Sequence, residues 1–348
     1  MADLAVQRFL VRRLLSLPTP VLRGLSGGGV VYQGGRTLDP RFQFLAHAAK
    51  RLPPPKGIPP EQMRAGSARA LAIVAGKAEP GVRTDTFQIE GPRGPIPVRA
   101  YKPFRQDPAS PVLVFGHFGG GVIGDLETAD TFCSILAKEA RCVVLSVDYR
   151  LAPEHRFPAG LEDVMAAFRW AREKAASFGA PEGRAAIGGD SMGGNFAAVI
   201  AQMLKAAGEP QPDLQLLIYP AVDVASDTQS MSVYADAYPL SRAMMDWFVG
   251  HYMGPGADPA DPKLSPIKTK DLTGLAPAIV VTAGFDPLVD QGEAYAKRLK
   301  QAGVPVAYRC YDALGHGFTA FTGAVPAADV ACREIAGLLR EGLEGRIR

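Results

Sequence analysis

The 348-residue sequence lacks a strong excess of charge of either sign and contains no nucleic-acid-binding motif. Its net charge is only +3 at pH 7, charged residues make up 21% of the chain, and no block of consecutive basic residues occurs. Domains that bind DNA or RNA carry clustered Lys and Arg, because neutralising phosphates supplies much of their affinity. Nucleic acid is therefore not an expected partner.

Cysteine is scarce as well. The four cysteines lie far apart, form no C-x-x-C pair and are too few for a disulfide framework in so long a chain. No cluster of His, Cys and carboxylate residues has metal-ligand spacing. We expect reduced, mostly buried thiols and neither a metal nor another cofactor. The cysteines are Cys133, Cys142, Cys310 and Cys332.

Long hydrophobic runs are also missing, because no stretch reaches the roughly 18 apolar residues of a membrane span. The N-terminal apolar stretch, residues 4–17, is interrupted by Arg8, Arg12 and Arg13, which a secretory signal would not tolerate. We expect this stretch to form an amphipathic helix packed on its own domain, with binding to a membrane surface or a partner as the alternative. The expected location is cytoplasmic.

Apolar runs and helical stretches alternate along most of the sequence. Hydrophobic residues make up 47% of the chain, as in ordinary globular proteins. Residues 86–90 and 96–101 read as a hairpin, and the short apolar runs that follow lack polar alternation, which is typical of strands buried on both faces. The alternation predicts an α/β fold with a mostly parallel sheet. Further strands are predicted at 112–115, 142–147, 185–188, 214–219, 278–282 and 306–311, and helices at 131–140, 161–178, 193–207, 292–302 and 327–341.

Residues 1–80 show no strand pattern and are predicted to be a helical covering segment outside the sheet. One helix is expected over residues 38–51, with Asp39-Pro40 as its start signal and the prolines at 53–55 as its end. Another is expected over residues 60–72. The covering segment thus precedes the part of the chain that forms the sheet.

A long insertion, residues 223–267, separates two of the predicted strands and contains a helix near 241–252. Connections of this length in a compact domain are usually functional lids. The predicted organisation is therefore an N-terminal helical cap segment over residues 1–80 and a catalytic domain over residues 81–348, with a cap insertion at 223–267.

Residues 189–193 form a G-x-S-x-G pentapeptide with Ser191 at its centre. The glycines permit a very tight turn between a strand and a helix, which holds the serine hydroxyl at the end of the strand. The pentapeptide alone is a weak signal. Here it follows the predicted strand 185–188 and precedes a helical stretch, so the context supports a nucleophilic serine.

A serine hydroxyl needs a base, and the base needs a group that fixes its tautomer. His316 follows the last predicted strand in a glycine-flanked loop, at the edge where open α/β sheets build their sites. Asp286 follows the strand at 278–282 and lies between the serine and the histidine in the chain, as the order of this fold requires. Asp290 is the alternative acid, but it stands at a predicted helix start, where aspartate is more typical of an N-cap.

Acyl transfer also needs hydrogen-bond donors for the developing oxyanion. The glycine-rich loop at residues 117–121 directly follows the strand at 112–115 and can point backbone N–H groups inward. The N–H of Met192, at the start of the helix behind the serine, is a second source. The loop lacks the spacings of phosphate-binding motifs, which disfavours that alternative.

Together these motifs resemble the hormone-sensitive-lipase-like family of α/β-hydrolases, in its bacterial branch with a GDSxGG serine motif. The resemblance extends from about residue 38 to the C-terminal helix. It implies an α/β-hydrolase fold with a central, mostly parallel sheet of about eight strands, flanking helices and a helical cap. It also implies an esterase for short- to medium-chain acyl esters, often a homodimer. The stretches that carry the resemblance are residues 117–125, 148–155, 189–195, 286–288 and 316–318.

The glycine-rich loop departs from the family pattern of His-Gly-Gly-Gly followed by an aromatic residue. Here Phe118 follows His117, and Gly121 occupies the position of the aromatic residue. The gapless alignment, which we prefer, gives the donor positions to Gly119 and Gly120. Aligning the glycines would instead select Gly120 and Gly121 and would require compensating gaps.

Three further residues near these motifs are given no catalytic role. Gln291 replaces a residue that is commonly acidic in the family and is expected to be peripheral. Glu154 and His155 lie in a loop that the family uses structurally.

The sequence thus predicts a carboxylic-ester hydrolase in which Ser191 attacks the substrate, His316 is the base and Asp286 orients it. Amide hydrolysis or acyl transfer with the same residues is one alternative. A non-catalytic small-molecule receptor on this scaffold is another, disfavoured because related receptors have lost the histidine, whereas this chain keeps all three residues.

Overall fold

The computed structural model describes residues 2–51 and 55–347, and this part of the chain is built around a mostly parallel sheet. The strands are β1 (Tyr32–Gln33), β2 (Arg36–Thr37), β3 (Val82–Gly91), β4 (Gly94–Pro103), β5 (Val112–Gly116), β6 (Val144–Val147), β7 (Ala185–Asp190), β8 (Gln215–Ile218), β9 (Ala278–Phe285) and β10 (Val306–Gly315). The α helices are α1 (Ala2–Leu15), α2 (Thr19–Leu25), α3 (Pro40–Ala49), α4 (Pro60–Val74), α5 (Asp130–Ala140), α6 (Ala159–Lys174), α7 (Met192–Ala206), α8 (Gln229–Val233), α9 (Arg242–Tyr252), α10 (Val289–Gln301) and α11 (Pro326–Leu343).

Eight strands of the described chain form the central sheet in the order β10-β9-β8-β7-β5-β6-β4-β3. The β3–β4 hairpin and the β4–β6 pair are antiparallel, and all other neighbours are parallel. Every residue of β5, β7, β8 and β9 is buried, as expected for strands covered by helices on both faces. The predicted α/β-hydrolase fold is confirmed.

Helices cover both faces of the sheet and form two apolar cores. Phe168 of α6, Phe196 of α7 and Tyr295 of α10 belong to one core. Phe132 of α5 and Ile335 of α11 belong to the other. This layering explains the apolar runs without alternation, because each central strand buries side chains on both sides.

The N-terminal segment contains a short hairpin that was not predicted from the sequence. β1 and β2 pair antiparallel through a two-residue turn at Gly34 and Gly35, whose φ angles are 57° and 79°. Such turns need positive φ at both positions, which glycine adopts readily. The prediction of no strand in this segment was therefore wrong, although the hairpin stays outside the central sheet. Strands of two residues are too short to show periodicity.

The predicted helix start at Asp39 is confirmed, because its carboxylate accepts hydrogen bonds from the backbone N–H groups of Arg41 and Phe42. Pro53 and Pro54, which were predicted to end this helix, lie outside the described residues.

The insertion between β8 and β9 holds α8 and α9, the latter at the predicted position. The Ser241 hydroxyl accepts the Met244 N–H and caps α9. From this helix the Trp247 indole N–H donates to the carbonyl of Ile58, 3.0 Å away. The insertion and the N-terminal segment are therefore in direct contact.

Cys133, Cys142 and Cys332 are buried, Cys310 is half-buried, and none forms a disulfide. Burial raises the pKa of the Cys142 thiol to about 12, so this thiol stays protonated. Across residues 2–51 and 55–347, no helix is both long and apolar enough to cross a bilayer.

Candidate active site

The carboxyl ends of β7, β9 and β10 bring the three predicted catalytic residues together. Ser191 follows β7, Asp286 follows β9 and His316 follows β10. The Ser191 Oγ lies 2.8 Å from His316 Nε2, and His316 Nδ1 lies 2.7 Å from Asp286 Oδ2. Parallel strands end at one edge of the sheet, so residues far apart in sequence form one hydrogen-bonded chain.

Ser191 sits on a strained turn that only the flanking glycines allow. Its φ is 54° and its ψ is −111°. A Cβ at Gly193 would lie 1.9 Å from the carbonyl oxygen of Gly116, and a Cβ at Gly189 would lie 2.3 Å from the carbonyl carbon of Gly193. The G-x-S-x-G pattern thus reflects the close approach of β5, β7 and α7.

Asp286 is completely buried and has a defined role for each carboxylate oxygen. Its Oδ1 accepts the backbone N–H of Leu288 at 2.9 Å, which leaves Oδ2 for His316. Its competitor Asp290 lies in the first turn of α10 and accepts the Ser230 N–H of α8 at 2.8 Å. The interpretation of Asp290 as an N-cap was wrong: α10 begins at Val289, so the carboxylate binds the start of α8 instead.

The backbone N–H groups of Gly119, Gly120 and Met192 donate no hydrogen bond to any residue in the described ranges. Met192 is the first residue of α7, where N–H groups have no partner within the helix. In the loop, Gly119 has a φ of 128°, and its carbonyl accepts the N–H groups of Val122 and Ile123 at 3.0 Å each. Unpaired donors therefore lie on the loop and the helix start that adjoin the serine, and the Gly121 N–H of the alternative alignment is unpaired as well.

His117 is a buried residue that supports the glycine-rich loop, and it is unsuited to act as a base. Its ring is fully buried and stacks on Tyr149 with 4.3 Å between ring centroids. Burial lowers the pKa of His117 to about 4, so the ring is neutral at pH 7. The Nδ1 hydrogen bond to the carbonyl of Phe118, 2.7 Å long, then makes Nδ1–H the donor.

Asp190 is a buried carboxyl beside the predicted catalytic residues, and no role was predicted for it from the sequence. Its Oδ2 accepts hydrogen bonds from the Tyr219 hydroxyl and the Thr319 hydroxyl, each 2.8 Å long. Burial raises the pKa of Asp190 to about 6, although those hydrogen bonds and the nearby His316 lower it. The only sequence signal was its place in the serine motif, which does not distinguish its partners.

The prediction that Gln291 is peripheral was wrong. Its side chain is buried, and its Oε1 accepts the N–H groups of Val222 and Asp223 at 2.7 and 2.8 Å. Its Nε2 donates to the carbonyl of Asp223 at 3.4 Å, which a carboxylate could not do. Gln291 therefore fixes the point where the insertion leaves the sheet.

Glu154 forms a two-pronged ion pair with Arg64, with both N–O distances 2.7 Å. The same guanidinium donates to the carbonyls of Val122 and Ala152 at 2.8 Å. This pair joins α4 to the glycine-rich loop, which agrees with the structural role expected for Glu154.

Two aromatic residues of α9 press on the glycine-rich loop. A Cβ at Gly120 would lie 2.4 Å from the Phe248 ring, and one at Gly121 would lie 2.6 Å from the Tyr252 ring. The insertion thus covers the loop closely. No three His, Cys, Asp or Glu side chains in the part of the chain that the structure describes are grouped to hold a metal ion.

Comparison with known proteins agrees with this geometry. Residues 113–320 match the family described as alpha/beta hydrolase fold. Carboxylic ester hydrolase LipN of Mycobacterium tuberculosis is 43% identical over 316 residues, covering 88% of this chain and 84% of that protein. Ethyl acetate hydrolase of Pseudomonas putida is 36% identical, covering 81% and 90%.

Solved structures give the same result. The ester hydrolase EH1AB1 from the metagenome of Lake Arreo has a TM-score of 0.84 at 40% identity, covering 88% of this chain and 99% of that chain. The Pyrobaculum calidifontis esterase has a TM-score of 0.80 at 36% identity, covering 89% and 100%. With this sheet, this serine turn and these relatives, the chain belongs to the α/β-hydrolase family, among its hormone-sensitive-lipase-like carboxylic-ester hydrolases.

Proposed function

We propose that this carboxylic-ester hydrolase works through a covalent acyl-enzyme formed on Ser191. The supporting observation is the unbroken hydrogen-bond chain from Ser191 Oγ through His316 to the buried Asp286 carboxylate. Oγ attacks the ester carbonyl carbon while His316 Nε2 takes its proton. Asp286 accepts the Nδ1–H hydrogen bond, which keeps Nε2 free as the base and stabilises the imidazolium that forms.

The imidazolium then gives its proton to the ester oxygen as the carbon–oxygen bond breaks, so the alcohol leaves neutral and the acyl group stays on Ser191. Water attacks the carbonyl carbon of this acyl group while His316 Nε2 takes a proton from the water. Collapse of the second tetrahedral intermediate releases the carboxylic acid and returns the proton to Oγ. His316 therefore takes and returns the proton in each step, and Asp286 stays ionised throughout.

The oxyanion of both tetrahedral intermediates is assigned to the N–H groups of Gly119, Gly120 and Met192. Their lack of other acceptors among the described residues supports this role. Preorganised donors of this kind are each worth about 2.7–4 kcal/mol of the barrier. Ser191 and His316 are themselves buried, so the donors act in a site with little water.

Residues 1–80 and the insertion 223–267 are proposed to form the cap over this site. Their contact through Trp247 and Ile58, and the Phe248 ring against Gly120, support a common cover. Aromatic rings this close to the proposed oxyanion donors leave limited room for an acyl chain. We therefore propose short- to medium-chain esters as substrates, and the relative named ethyl acetate hydrolase supports the short end of that range.

Hydrolysis of p-nitrophenyl esters from acetyl to palmitoyl tests the proposal. We expect wild-type activity to peak at short or medium chains and Ser191→Ala to lose about a thousandfold or more in kcat. Ser146→Ala, which truncates a buried serine of β6, is the matched control and should keep wild-type kcat. Near-wild-type turnover by folded Ser191→Ala, with contamination excluded, would overturn the mechanism.

A further inference from the structure

Helix α1 exposes an apolar strip to solvent. Val6, Phe9 and Leu10 are 55%, 58% and 58% exposed, at the spacing of a single helix face. Arg8 and Arg12, by contrast, are half-buried and donate to backbone carbonyls that follow α4. Leu15 is buried and Val11 packs against the core, so α1 has apolar residues on its inner side as well. The outer apolar strip is left without a covering layer among the described residues.

We define the α1 outer face as Val6, Phe9, Leu10 and the exposed Arg13. The Arg13 guanidinium lies 5.3 Å from the centre of the Phe9 ring, so the face has an apolar strip with a cation at one end. Exposed large apolar side chains are concentrated in this region: seven of the nine in the described ranges lie within residues 6–32. The remaining two are Phe104 and Val330.

The N-terminal segment also holds the basic charge of the protein. Residues 1–80 contain 12 Lys and Arg and 4 Asp and Glu, which leaves 26 Lys and Arg and 31 Asp and Glu for the rest of the chain. The overall charge of +3 is therefore the sum of +8 in residues 1–80 and −5 in residues 81–348, which we call the body. Lys50, Arg51, Lys56 and Lys77 are exposed together with Arg13.

The few carboxylates of this segment do little to offset that charge. Asp39 accepts backbone N–H groups at the start of α3. Glu79 pairs with Lys138 and Arg333 of the body. Among the described side chains of residues 1–80, one carboxylate is exposed, that of Glu61. The positive charge of residues 1–80 therefore favours an anionic partner.

We propose that the α1 outer face docks on the surface of an anionic phospholipid bilayer, with the helix axis in the plane of the membrane. Val6, Phe9 and Leu10 would enter the boundary between headgroups and acyl chains, and Arg13 would stay at the level of the phosphates. Both features of the segment, the exposed apolar strip and the excess of positive charge, match such a bilayer. The interaction is reversible, because one short helix face buries little area, and it does not depend on the proposed catalytic mechanism.

Co-sedimentation with vesicles tests the proposal on the full chain. Wild-type protein should bind vesicles of equimolar phosphatidylglycerol and phosphatidylcholine, and bind less to phosphatidylcholine alone or in about 0.5 M salt. The double variant Phe9→Asp/Leu10→Asp should bind the anionic vesicles roughly tenfold more weakly or worse. Phe104→Asp is the matched control, because this phenylalanine is 78% exposed but lies outside the segment, and it should bind like wild type.

Two further measurements separate docking from other effects. The far-UV circular dichroism spectrum and the melting temperature of Phe9→Asp/Leu10→Asp should match those of wild type, which shows that the fold is kept. Leu10→Trp should gain a blue-shifted emission with anionic vesicles, measured as the difference from wild type, which has two tryptophans of its own. Absence of wild-type binding to anionic vesicles, or equal binding by the double variant, would overturn the proposal. So would a concentration-dependent dimer that the double variant loses, without vesicle binding, because a second copy would then cover the face.

Discussion

At the scale of single residues, the backbone of Ser191 shows how a local pattern and distant partners combine. The φ and ψ angles of Ser191 are ones that residues other than glycine rarely adopt, and such a conformation costs about 1–3 kcal/mol. The surrounding structure must therefore hold Ser191 in place. Its N–H donates to the carbonyl of Ile218 on β8 at 2.8 Å, and its carbonyl accepts the N–H of Asn195 at 2.9 Å. The glycines of the motif permit the turn, whereas the neighbouring strand keeps it.

Asp190 gives a prediction at the same scale. Because its pKa in the folded protein, about 6, lies above the ordinary value of 3.8, this carboxyl contributes to stability below about pH 4, and the contribution is lost as the pH rises through 6. An asparagine keeps an oxygen for Tyr219 and Thr319 without the buried charge. We therefore expect Asp190→Asn to be more stable than wild type at pH 8 by about 1–3 kcal/mol, with a much smaller difference at pH 4.

Urea unfolding at the two pH values measures this difference. A gap in the free energy of unfolding that is the same at pH 4 and pH 8 would contradict the assignment of the raised pKa to Asp190.

At the scale of elements, α9 links the insertion to the glycine-rich loop. A helix near residues 241–252 was predicted from the sequence, and the observed residues 242–252 agree with that prediction. The contacts of Phe248 with Gly120 and of Tyr252 with Gly121 were not visible. The same contacts account for glycine at both loop positions, because any side chain there would collide with α9.

Phe248→Ala is expected to shift the acyl preference toward longer chains, if the proposed site is correct, because it removes a ring beside the proposed oxyanion donors. We expect the ratio of kcat/KM for p-nitrophenyl octanoate to that for the acetate to rise about tenfold. Phe178→Ala removes a ring that packs with Phe87 and Trp170 against the β3–β4 hairpin, and is the control that should leave the ratio unchanged. An unchanged ratio in Phe248→Ala would exclude this ring from the acyl site.

At the scale of the whole molecule, ion pairs attach the N-terminal segment to the α/β body. Glu79, at the end of this segment, binds Lys138 of α5 at 2.5 Å and Arg333 of α11 at 2.6 Å. Partial burial opposes ionisation of Glu79, but the hydrogen bonds from Lys138 and Arg333 outweigh it and lower the pKa of the carboxyl. The segment is thus held by charge on this side and by Arg64 with Glu154 near the loop.

Glu79→Gln should destabilise the protein at pH 7 by about 1–2 kcal/mol, a modest value because both cations are partly exposed. Because the folded-state pKa lies below the ordinary 4.5, the ionised carboxylate contributes to stability above about pH 4.5, and this contribution is lost as the pH falls through the folded-state pKa. Thermal unfolding from pH 7 to pH 3 should show the two proteins converging in acid. Glu341→Gln, on exposed α11 surface, should match wild type throughout; a Glu79→Gln deficit that persists unchanged in acid would contradict the ion-pair argument.

Two predictions about the whole molecule stay predictions. Strand β10 lies at one edge of the central sheet and pairs with no strand on its outer side among the described residues, which suits the predicted homodimer. The cytoplasmic location likewise remains an expectation from the sequence.

The sequence by itself determined the alternation of strands and helices, the serine turn, and the order of Ser191, Asp286 and His316, because these depend on local periodicity and on glycines at fixed spacing. Only the tertiary structure decided that Gln291 is buried, that Asp290 binds the start of α8, and that α1 leaves an apolar strip exposed. The reason is physical: backbone conformation and hydrophobic period are set by neighbours in the chain, whereas burial and hydrogen-bond partners are set by whichever elements fold against a side chain.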